Sequence, residues 1–254
     1  MTTYTNESYL KLSEIDSKYN QLAKLQGYFY SKHKLTPVVG AELEFYLSPG
    51  LDAKEISRVI QRAIKSEKGQ NQFEIDFSPN TSLSILAKEM EITRTNIIKA
   101  AQQLGGVADF RSKPFENDYG SSMHIHLNFL EDNNIEKYAK MLCKYLARYI
   151  GHCLPRLEDY KRLDSRFMAP THISWGGNNR TVLIRIPDSL PRRLEHRLPS
   201  ANADPAAVIL SMLEAINYGL LAKDLDISQW PKIHGNAFDS QYSLEKIHIP
   251  SSLA

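Results

Sequence analysis

Cysteine is scarce in this sequence, and so are the other features that mark special classes of protein. The two cysteines, Cys143 and Cys153, are too few for a disulfide scaffold, and this favours a cytoplasmic location. No apolar run reaches membrane-spanning length, and the N-terminus lacks the basic-then-apolar order of a signal peptide. The 31 basic and 29 acidic residues nearly cancel. Neither a nucleic acid nor a membrane is therefore expected as a partner.

The common short motifs of nucleotide and hydrolase sites are also missing. The sequence has no Walker-type loop, no dinucleotide-binding glycine fingerprint and no nucleophile elbow. A serine or cysteine nucleophile is not excluded, but no motif positions one. Any active site must therefore be sought in the distribution of polar side chains over the predicted strands.

Hydrophobic periodicity predicts long helices separated by alternating strands. The predicted helices span residues 7–33, 52–66, 82–104, 135–153 and 204–221. The predicted strands are "TPVVGAELEFYL", "NQFEIDF", "MHIHLNF", "HISWG", "TVLIRIP" and "RRLEHRL". Because their residues alternate between apolar and polar, we expect an α+β fold with a curved, open antiparallel sheet and flanking helices. A crossover parallel sheet, which favours uniformly apolar strands, is the second choice.

The polar faces of these strands concentrate Glu, His and Arg and contain no Lys. With a side-chain period of two, one face of each strand carries the following residues: Glu42 and Glu44; Glu74 and Asp76; His124, His126 and Asn128; Arg193, Glu195 and Arg197. Clustered glutamates repel unless a cation lies between them, and oxygen ligands with one imidazole suit Mg²⁺ or Mn²⁺. A solvated sheet face with ordinary salt bridges is the competing explanation.

Arginines gather in the C-terminal half, at Arg162, Arg180, Arg185, Arg193 and Arg197. Carboxylates and arginines in one cleft would neutralise each other when it is empty. Two divalent ions and a nucleoside triphosphate would add charges that also roughly cancel, as in a phosphoryl-transfer site. Spacing alone leaves this interpretation and the salt-bridge interpretation both open.

Five segments resemble the catalytic domain of glutamine synthetases, in family order over roughly residues 37–250. They are "GAELEFYL", "EKGQNQFEI", "GSSMHIHLNF", "YKRLDSRFMAPTHISWGGNNRTVLIRIP" and "RRLEHRLPSANADP". The second segment contains a Gly-Gln pair, Gly69 and Gln70, but the pair in the family lies two positions further along. Asn71 therefore occupies the position of the family's glycine. Each match alone is weak, but together they are specific. The resemblance implies the fold shared by glutamine synthetases and guanidino kinases.

The resemblance also implies a site with two divalent ions, Mg²⁺ or Mn²⁺, with ATP as co-substrate. One ion would be held by Glu44, Glu67 and Glu74, and the other by Glu42, His124 and Glu195. His126, Arg185 and Arg193 would contact the nucleotide and its phosphates, and Arg180 would stabilise phosphoryl transfer. Gly120, Arg162 and Arg197 would bind the amino-acid substrate. Arg180 and Arg197 would be the catalytic residues.

Three departures from the family pattern bear on the substrate. Met168 occupies the position of a flap glutamate that helps to deprotonate ammonium, and methionine can neither attract a cation nor accept a proton. Tyr119 replaces a substrate-contacting asparagine, and Ser122 replaces a glycine. Only a helical segment, residues 1–36, precedes the catalytic domain, residues 37–254. That domain is predicted to be shortened at its C-terminus.

We therefore expect an ATP- and metal-dependent carboxylate–amine ligase that forms a γ-glutamyl or related acyl phosphate. The departures favour an amine other than ammonia as the acceptor. The alternatives are a nucleotide- and metal-binding, non-catalytic homologue with a regulatory role, and simple phosphoryl transfer to a carboxylate or guanidine. A small homo-oligomer or a monomer is favoured over the dodecamer that the resemblance to glutamine synthetases would suggest.

Overall fold

The computed structural model describes residues 6–248, and the side chains from residue 17 onward. Its helices are α1 (Asn6–Tyr28), α2 (Ala53–Ile60), α3 (Leu83–Gln103), α4 (Ile135–Tyr145), α5 (Ile150–Cys153) and α6 (Pro205–Leu221). Its strands are β1 (Pro37–Leu47), β2 (Lys65–Ser66), β3 (Gln72–Asn80), β4 (Ala108–Asp109), β5 (Met123–Phe129), β6 (Trp175–Gly176), β7 (Ile184–Arg185) and β8 (Leu194–His196).

The strands form one open, eight-stranded sheet in the order β2-β3-β1-β5-β8-β7-β6, with β4 pairing to the end of β1. Helices and sheet together confirm the predicted α+β class. All neighbouring strands are antiparallel except β6 and β7, which are parallel. The predicted antiparallel sheet is therefore confirmed, apart from this one parallel pair at its edge.

The core lies between the apolar face of the sheet and the helices. Leu43, Phe45, Ile75 and Ile125 point from β1, β3 and β5 into this core and are almost fully buried. Helices α1, α3 and α6 pack against one another, and α4 packs against α6. Burial of each large apolar side chain contributes about 1.5–3 kcal/mol. The apolar side chains of β1, β3 and β5 therefore lie on the side of the sheet that faces the helices. Their polar side chains must lie on the opposite face.

Several element boundaries differ from the sequence-based expectation. Helix α2 begins after its predicted cap, Asp52, but ends at Ile60 because Gln61 adopts a left-handed backbone with φ of 55°. The predicted helix over 135–153 is interrupted by a 3₁₀ turn at Leu146–Arg148. Strands β6, β7 and β8 span only two or three residues. The sheet is therefore long at its centre and short at both edges, since β2 at the opposite edge also spans only two residues.

At the N-terminal end, α1 continues into a π-helical turn at Phe29–His33, so that residues 6–33 are helical. Leu10, Leu12 and Ile15, which belong by their spacing to an apolar set predicted along this helix, lie outside the described side chains. Residues 1–5 and 249–254, which the predicted domain boundaries include, lie outside the described residues altogether. Within residues 6–248, none of the helices combines the length and apolar character needed to cross a membrane.

Candidate active site

Strand register brings the predicted acidic residues together on the polar face of the sheet. Glu44 of β1 lies directly opposite Glu74 of β3, and Glu42 of β1 lies opposite His124 of β5. On the other side of β5, His126 lies opposite Glu195 of β8. Residues far apart in sequence therefore become neighbours because the strands that carry them are adjacent.

The first predicted ligand group, Glu44, Glu67 and Glu74, is compact. Each residue offers one carboxylate oxygen, and these three atoms lie within 4.8 Å of one another. Glu67 reaches the group because the chain turns back after it, with the Glu67 amide donating to the Gln72 carbonyl at 2.9 Å. Asn71, where the family has glycine, adopts a left-handed φ of 62° in this turn. Asparagine tolerates that conformation better than most residues do.

These clustered carboxylates perturb one another. Burial, followed by the charges of Glu42, Glu44 and Glu67, raises the pKa of Glu74 well above its ordinary value. Burial and the neighbouring Glu44 also raise the pKa of Glu67. Like charges at this density are unfavourable without a cation between them. The donor set, all oxygen, suits a hard divalent ion.

In the second predicted group, Glu42, His124 and Glu195, both carboxylates lie close to the same imidazole nitrogen. His124 Nδ1 lies 3.3 Å from Glu42 Oε2 and 3.9 Å from Glu195 Oε1. Glu42, His124 and Glu74 also offer three atoms within 4.8 Å of one another. Glu74 therefore stands between the two groups, a position that the sequence did not indicate.

Ser122 sets the orientation of the His124 ring. The Ser122 hydroxyl donates to Glu44 Oε2 at 2.7 Å, so its oxygen is free to accept from His124 Nε2, which lies 2.9 Å away. With its Nε2 directed at Ser122, the ring turns Nδ1 toward the Glu42 and Glu195 carboxylates. A cation between these three groups would be held by Nδ1 and the carboxylate oxygens together.

Glu195 is clamped by two arginines. Arg185 Nη1 donates to Glu195 Oε2 at 2.6 Å, and Arg197 Nη1 donates to Oε1 at 2.8 Å. Burial alone would raise the pKa of Glu195, but His124, Arg197 and Arg185 outweigh it and hold the pKa at about 2. Glu195 is therefore ionised at every physiological pH.

Two buried arginines that line the cleft carry donors without a partner in the described part of the chain. Arg162 donates through Nη1 to the carbonyls of Arg197 and Leu198, at 3.3 Å and 2.7 Å. Among the described residues, neither Arg162 Nε nor Arg197 Nε has a hydrogen-bond partner. Buried donors of this kind normally have partners. A carboxylate bound in the cleft would satisfy such donors well because guanidinium groups match its geometry.

Gly120 allows the close packing around Arg162. A Cβ atom at this position would lie 2.7 Å from the Ser112 carbonyl oxygen and 3.0 Å from Arg162 Cβ. The Gly120 carbonyl also accepts a hydrogen bond from Gln72 Nε2 at 3.0 Å. Any larger residue would push the Arg162 side chain or the Ser112 loop away from the cleft.

The cleft itself has a volume of about 170 Å³. Most of the predicted site residues line it: Glu42, Glu44, Glu67, Glu74, Gly120, His124, Arg162, Arg180, Arg185, Glu195 and Arg197. His126 and Arg193 instead line an adjoining depression, which shares Glu42 with the cleft. The predicted site residues are thus divided between two neighbouring cavities that share Glu42.

Lining residues that the sequence prediction did not assign are Lys68, Gln72, Phe167 and Ala169. Lys68 directly follows Glu67, and Phe167 directly precedes Met168. Their places in the cleft could have been predicted from the sequence only by this adjacency to residues already singled out. Met168 and Tyr119, at two of the departures from the family pattern, also line the cleft.

Comparisons with known proteins show which family the chain resembles. The family model described as "Glutamine synthetase, catalytic domain" matches residues 52–254. Glutamine synthetase from Pyrococcus abyssi is 31% identical over an alignment of 179 positions, and the match covers 63% of this chain and 40% of the relative. Gamma-glutamylputrescine synthetase PuuA from Escherichia coli is 27% identical over an alignment of 265 positions including gaps, and the match covers 82% of this chain and 55% of the relative.

Solved structures share the fold. A glutamine synthetase from Plasmodium falciparum superposes with a TM-score of 0.70 at 16% identity, covering 82% of this chain and 56% of that one. An ADP complex of GmaS superposes with a TM-score of 0.71 at 20% identity, covering 91% and 65%. The chain spans about 40% and 55% of the lengths of the two relatives named above. By its sequence and its fold, the chain belongs to the glutamine synthetase family.

Proposed function

We propose that this chain carries an ATP- and divalent-metal-dependent carboxylate–amine ligase activity. The observation that carries the proposal is the packing of Glu44, Glu67 and Glu74 within 4.8 Å of one another, in a cleft that also holds Arg162 and Arg197. Carboxylates without a counter-cation and buried guanidinium groups with unpartnered donors favour a site for metal ions and an anionic substrate.

Glu44, Glu67 and Glu74 would hold one Mg²⁺ or Mn²⁺ ion, and Glu42, His124 and Glu195 the other. When bound, these ions would neutralise phosphate charge and polarise the transferring phosphoryl group. Ser122 keeps His124 oriented, and Arg185 and Arg197 keep Glu195 ionised. These residues prepare the ligand set before anything binds.

The arginines and His126 have separate roles in the proposal. Arg162 and Arg197 would bind the carboxylates of glutamate or a related amino acid, with Gly120 leaving room for them. Arg180, exposed at the rim of the cleft, would stabilise charge that develops during phosphoryl transfer. His126 and Arg193, in the adjoining depression, and Arg185, in the cleft, would contact the nucleotide and its phosphates.

The proposed reaction has two steps. A substrate carboxylate oxygen attacks the γ-phosphorus of ATP, and ADP leaves, which gives an acyl phosphate. An amine nitrogen then attacks the acyl carbon, the bond from that carbon to the phosphate oxygen breaks, and phosphate leaves with the electron pair. Phosphorylation is needed because a carboxylate is a poor electrophile. The relative PuuA is named as a synthetase that joins a γ-glutamyl group to putrescine, and this supports an acceptor other than ammonia.

The test is ADP release with glutamate, ATP and Mn²⁺, measured with and without a panel of amines. We expect release that depends on both glutamate and an amine, and loss of at least 100-fold in Glu67→Gln. Glu136→Gln removes an equivalent charge from a surface salt bridge with Lys232, outside the cleft, and is the matched control.

Other outcomes would decide between the alternatives. Binding of ATP without ADP release would contradict the ligase and favour a non-catalytic regulatory homologue, for which Met168 at the flap position is the supporting observation. Release that needs glutamate but no amine would favour simple phosphoryl transfer. A cytoplasmic location is part of the proposal, and the buried, unpaired Cys143 and Cys153 fit it.

A further inference from the structure

Four side chains form one continuous wall of the cleft, which we name the acceptor wall: Lys68, Tyr119, Phe167 and Met168. The rings of Tyr119 and Phe167 pack edge to face, with centroids 5.4 Å apart and an interplanar angle of 70°. Met168 extends the apolar surface, and all three of these side chains are partly exposed. The wall therefore presents aromatic and thioether surface to whatever enters the cleft.

The three loops that carry this wall are tied together. Asp118 Oδ2 accepts from the Gln70 amide at 2.9 Å, and the Tyr119 carbonyl accepts from Tyr46 Oη at 2.8 Å. Lys113 Nζ donates to the Asp118 carbonyl and lies 3.6 Å from the centroid of the Phe167 ring. These contacts behind the acceptor wall therefore hold its side chains in place before a ligand binds.

The charge of the acceptor wall is positive. Lys68 Nζ lies 5.7 Å from the centroid of the Tyr119 ring, and the side chain is exposed. Within residues 6–248, every carboxylate that lines the cleft belongs to one of the two ligand groups described above. Once those groups hold cations, no lining carboxylate is left to attract a cationic acceptor, while Lys68 remains to repel one.

We propose that the acceptor is an amine with an apolar or aromatic body and a carboxylate group, such as an apolar amino acid. Tyr119, Phe167 and Met168 contact the body, and Lys68 pairs with the carboxylate. A diamine would instead bring a second ammonium group to Lys68. The amine nitrogen forms the new bond to the acyl carbon, phosphate leaves with the electron pair, and the proton lost from nitrogen passes to solvent. This inference rests on the proposed function.

Phenylalanine and phenethylamine are a matched pair of probes because they differ only by the carboxylate. With glutamate, ATP and Mn²⁺, we expect γ-glutamyl transfer to phenylalanine to exceed transfer to phenethylamine and to putrescine in kcat/KM. An exposed ion pair contributes up to about 1 kcal/mol, so Lys68→Met should lower the phenylalanine-to-phenethylamine ratio by about threefold to fivefold. Lys68→Glu should invert the ratio. Lys54→Met, an exposed lysine outside the cleft, should leave it unchanged.

Tyr119→Ala separates recognition of the body from recognition of the carboxylate. It should raise KM for both aromatic amines by a similar factor and leave their ratio close to that of the parent protein. A change of the ratio in Tyr119→Ala equal to that in Lys68→Met would show a general disturbance of the wall and would overturn the assignment of Lys68.

Hydroxylamine keeps failure of this inference distinct from failure of the proposed function, because it traps an acyl phosphate without needing the acceptor wall. If γ-glutamyl hydroxamate forms but phenylalanine is not preferred, or neither aromatic amine reacts, the inference is overturned and the ligase chemistry stands. If no hydroxamate forms, the proposed function fails and the inference falls with it.

Discussion

Glu44 and Glu74 face each other across the β1–β3 ladder, and both side chains are buried, at 9% and 8% exposure. With Glu67 beside them, three carboxylates share one small volume. The sheet therefore holds like charges together at a cost in folding free energy, and a bound cation offsets that cost. The relationship makes stability itself a readout of metal binding.

The first prediction concerns pH and Glu74→Gln. In metal-free protein the pKa of Glu74 is raised from 4.5 to about 9, chiefly by burial and then by neighbouring carboxylates. Between these values the folded state holds a proton that the unfolded state releases, so the free energy of unfolding falls as pH rises. In EDTA, Glu74→Gln should therefore show a higher Tm than the parent at pH 8 and a similar Tm at pH 5.

Thermal denaturation followed by circular dichroism across this pH range checks the prediction. Mn²⁺ should raise the Tm of the parent protein at pH 8 and raise that of Glu74→Gln much less. Glu136→Gln should keep the pH slope of the parent. Identical slopes for Glu74→Gln and the parent would contradict the assignment of a raised pKa.

The second prediction concerns Ser122→Ala. Removing the hydroxyl that joins Glu44 to His124 releases the orientation of both, and loss of such outer contacts typically weakens metal binding by about 10- to 100-fold. Isothermal titration with Mn²⁺ measures the effect. Ser121→Ala is the matched control, since Ser121 is buried and adjacent but its hydroxyl has no partner among the described residues. Equal losses in the two variants would count against the proposed role of Ser122.

The third prediction concerns Met168→Glu. A carboxylate at this position of the cleft would attract ammonium and accept its proton, so ammonia-dependent ADP release should rise by about tenfold or more. Met168→Gln has nearly the same shape without the charge and should show no rise. An unchanged rate in Met168→Glu would show that other parts of the cleft limit the use of ammonia.

The fourth prediction concerns the N-terminus of α6. Asp204 Oδ1 accepts from the Ala206 amide at 2.9 Å, and Oδ2 accepts from Lys18 Nζ at 2.8 Å. Asp204→Ala loses the helix cap and the tie to α1, and should lower the free energy of unfolding by about 1–2 kcal/mol. Asp204→Asn keeps the cap and should lose less. Urea denaturation compares the two, and equal losses would contradict a role for the cap.

Much of the central sheet could be predicted from the sequence because its strands alternate cleanly. In β1, β3 and β5, a period of two places Glu42, Glu44, Glu74 and His124 on one face wherever the apolar face is buried. Helices α3 and α6 were predicted to within one residue at each end. Local pattern and tertiary structure agree in these elements.

The remaining features depend on contacts between distant segments, which no local pattern encodes. The shortness of β6–β8 and the parallel pairing of β6 with β7 depend on how the edge of the sheet is covered. The position of Glu74 between both ligand groups follows from strand register. Ser122 and Lys68 acquire their neighbours only when loops meet across the cleft. The sequence therefore predicted which acidic side chains share one face of the sheet more readily than which groups orient them.

The division of the site between strands and loops also affects how this chain can change over evolution. The carboxylates of Glu42, Glu44 and Glu74, which are proposed as metal ligands, stand on long, paired strands, where a one-residue shift would move the whole set to the wrong face. The acceptor wall stands on loops, where single substitutions leave the strand pairing intact. If the proposed function holds, the acceptor preference can therefore diversify by replacement of a few loop residues while the phosphoryl-transfer chemistry is inherited unchanged.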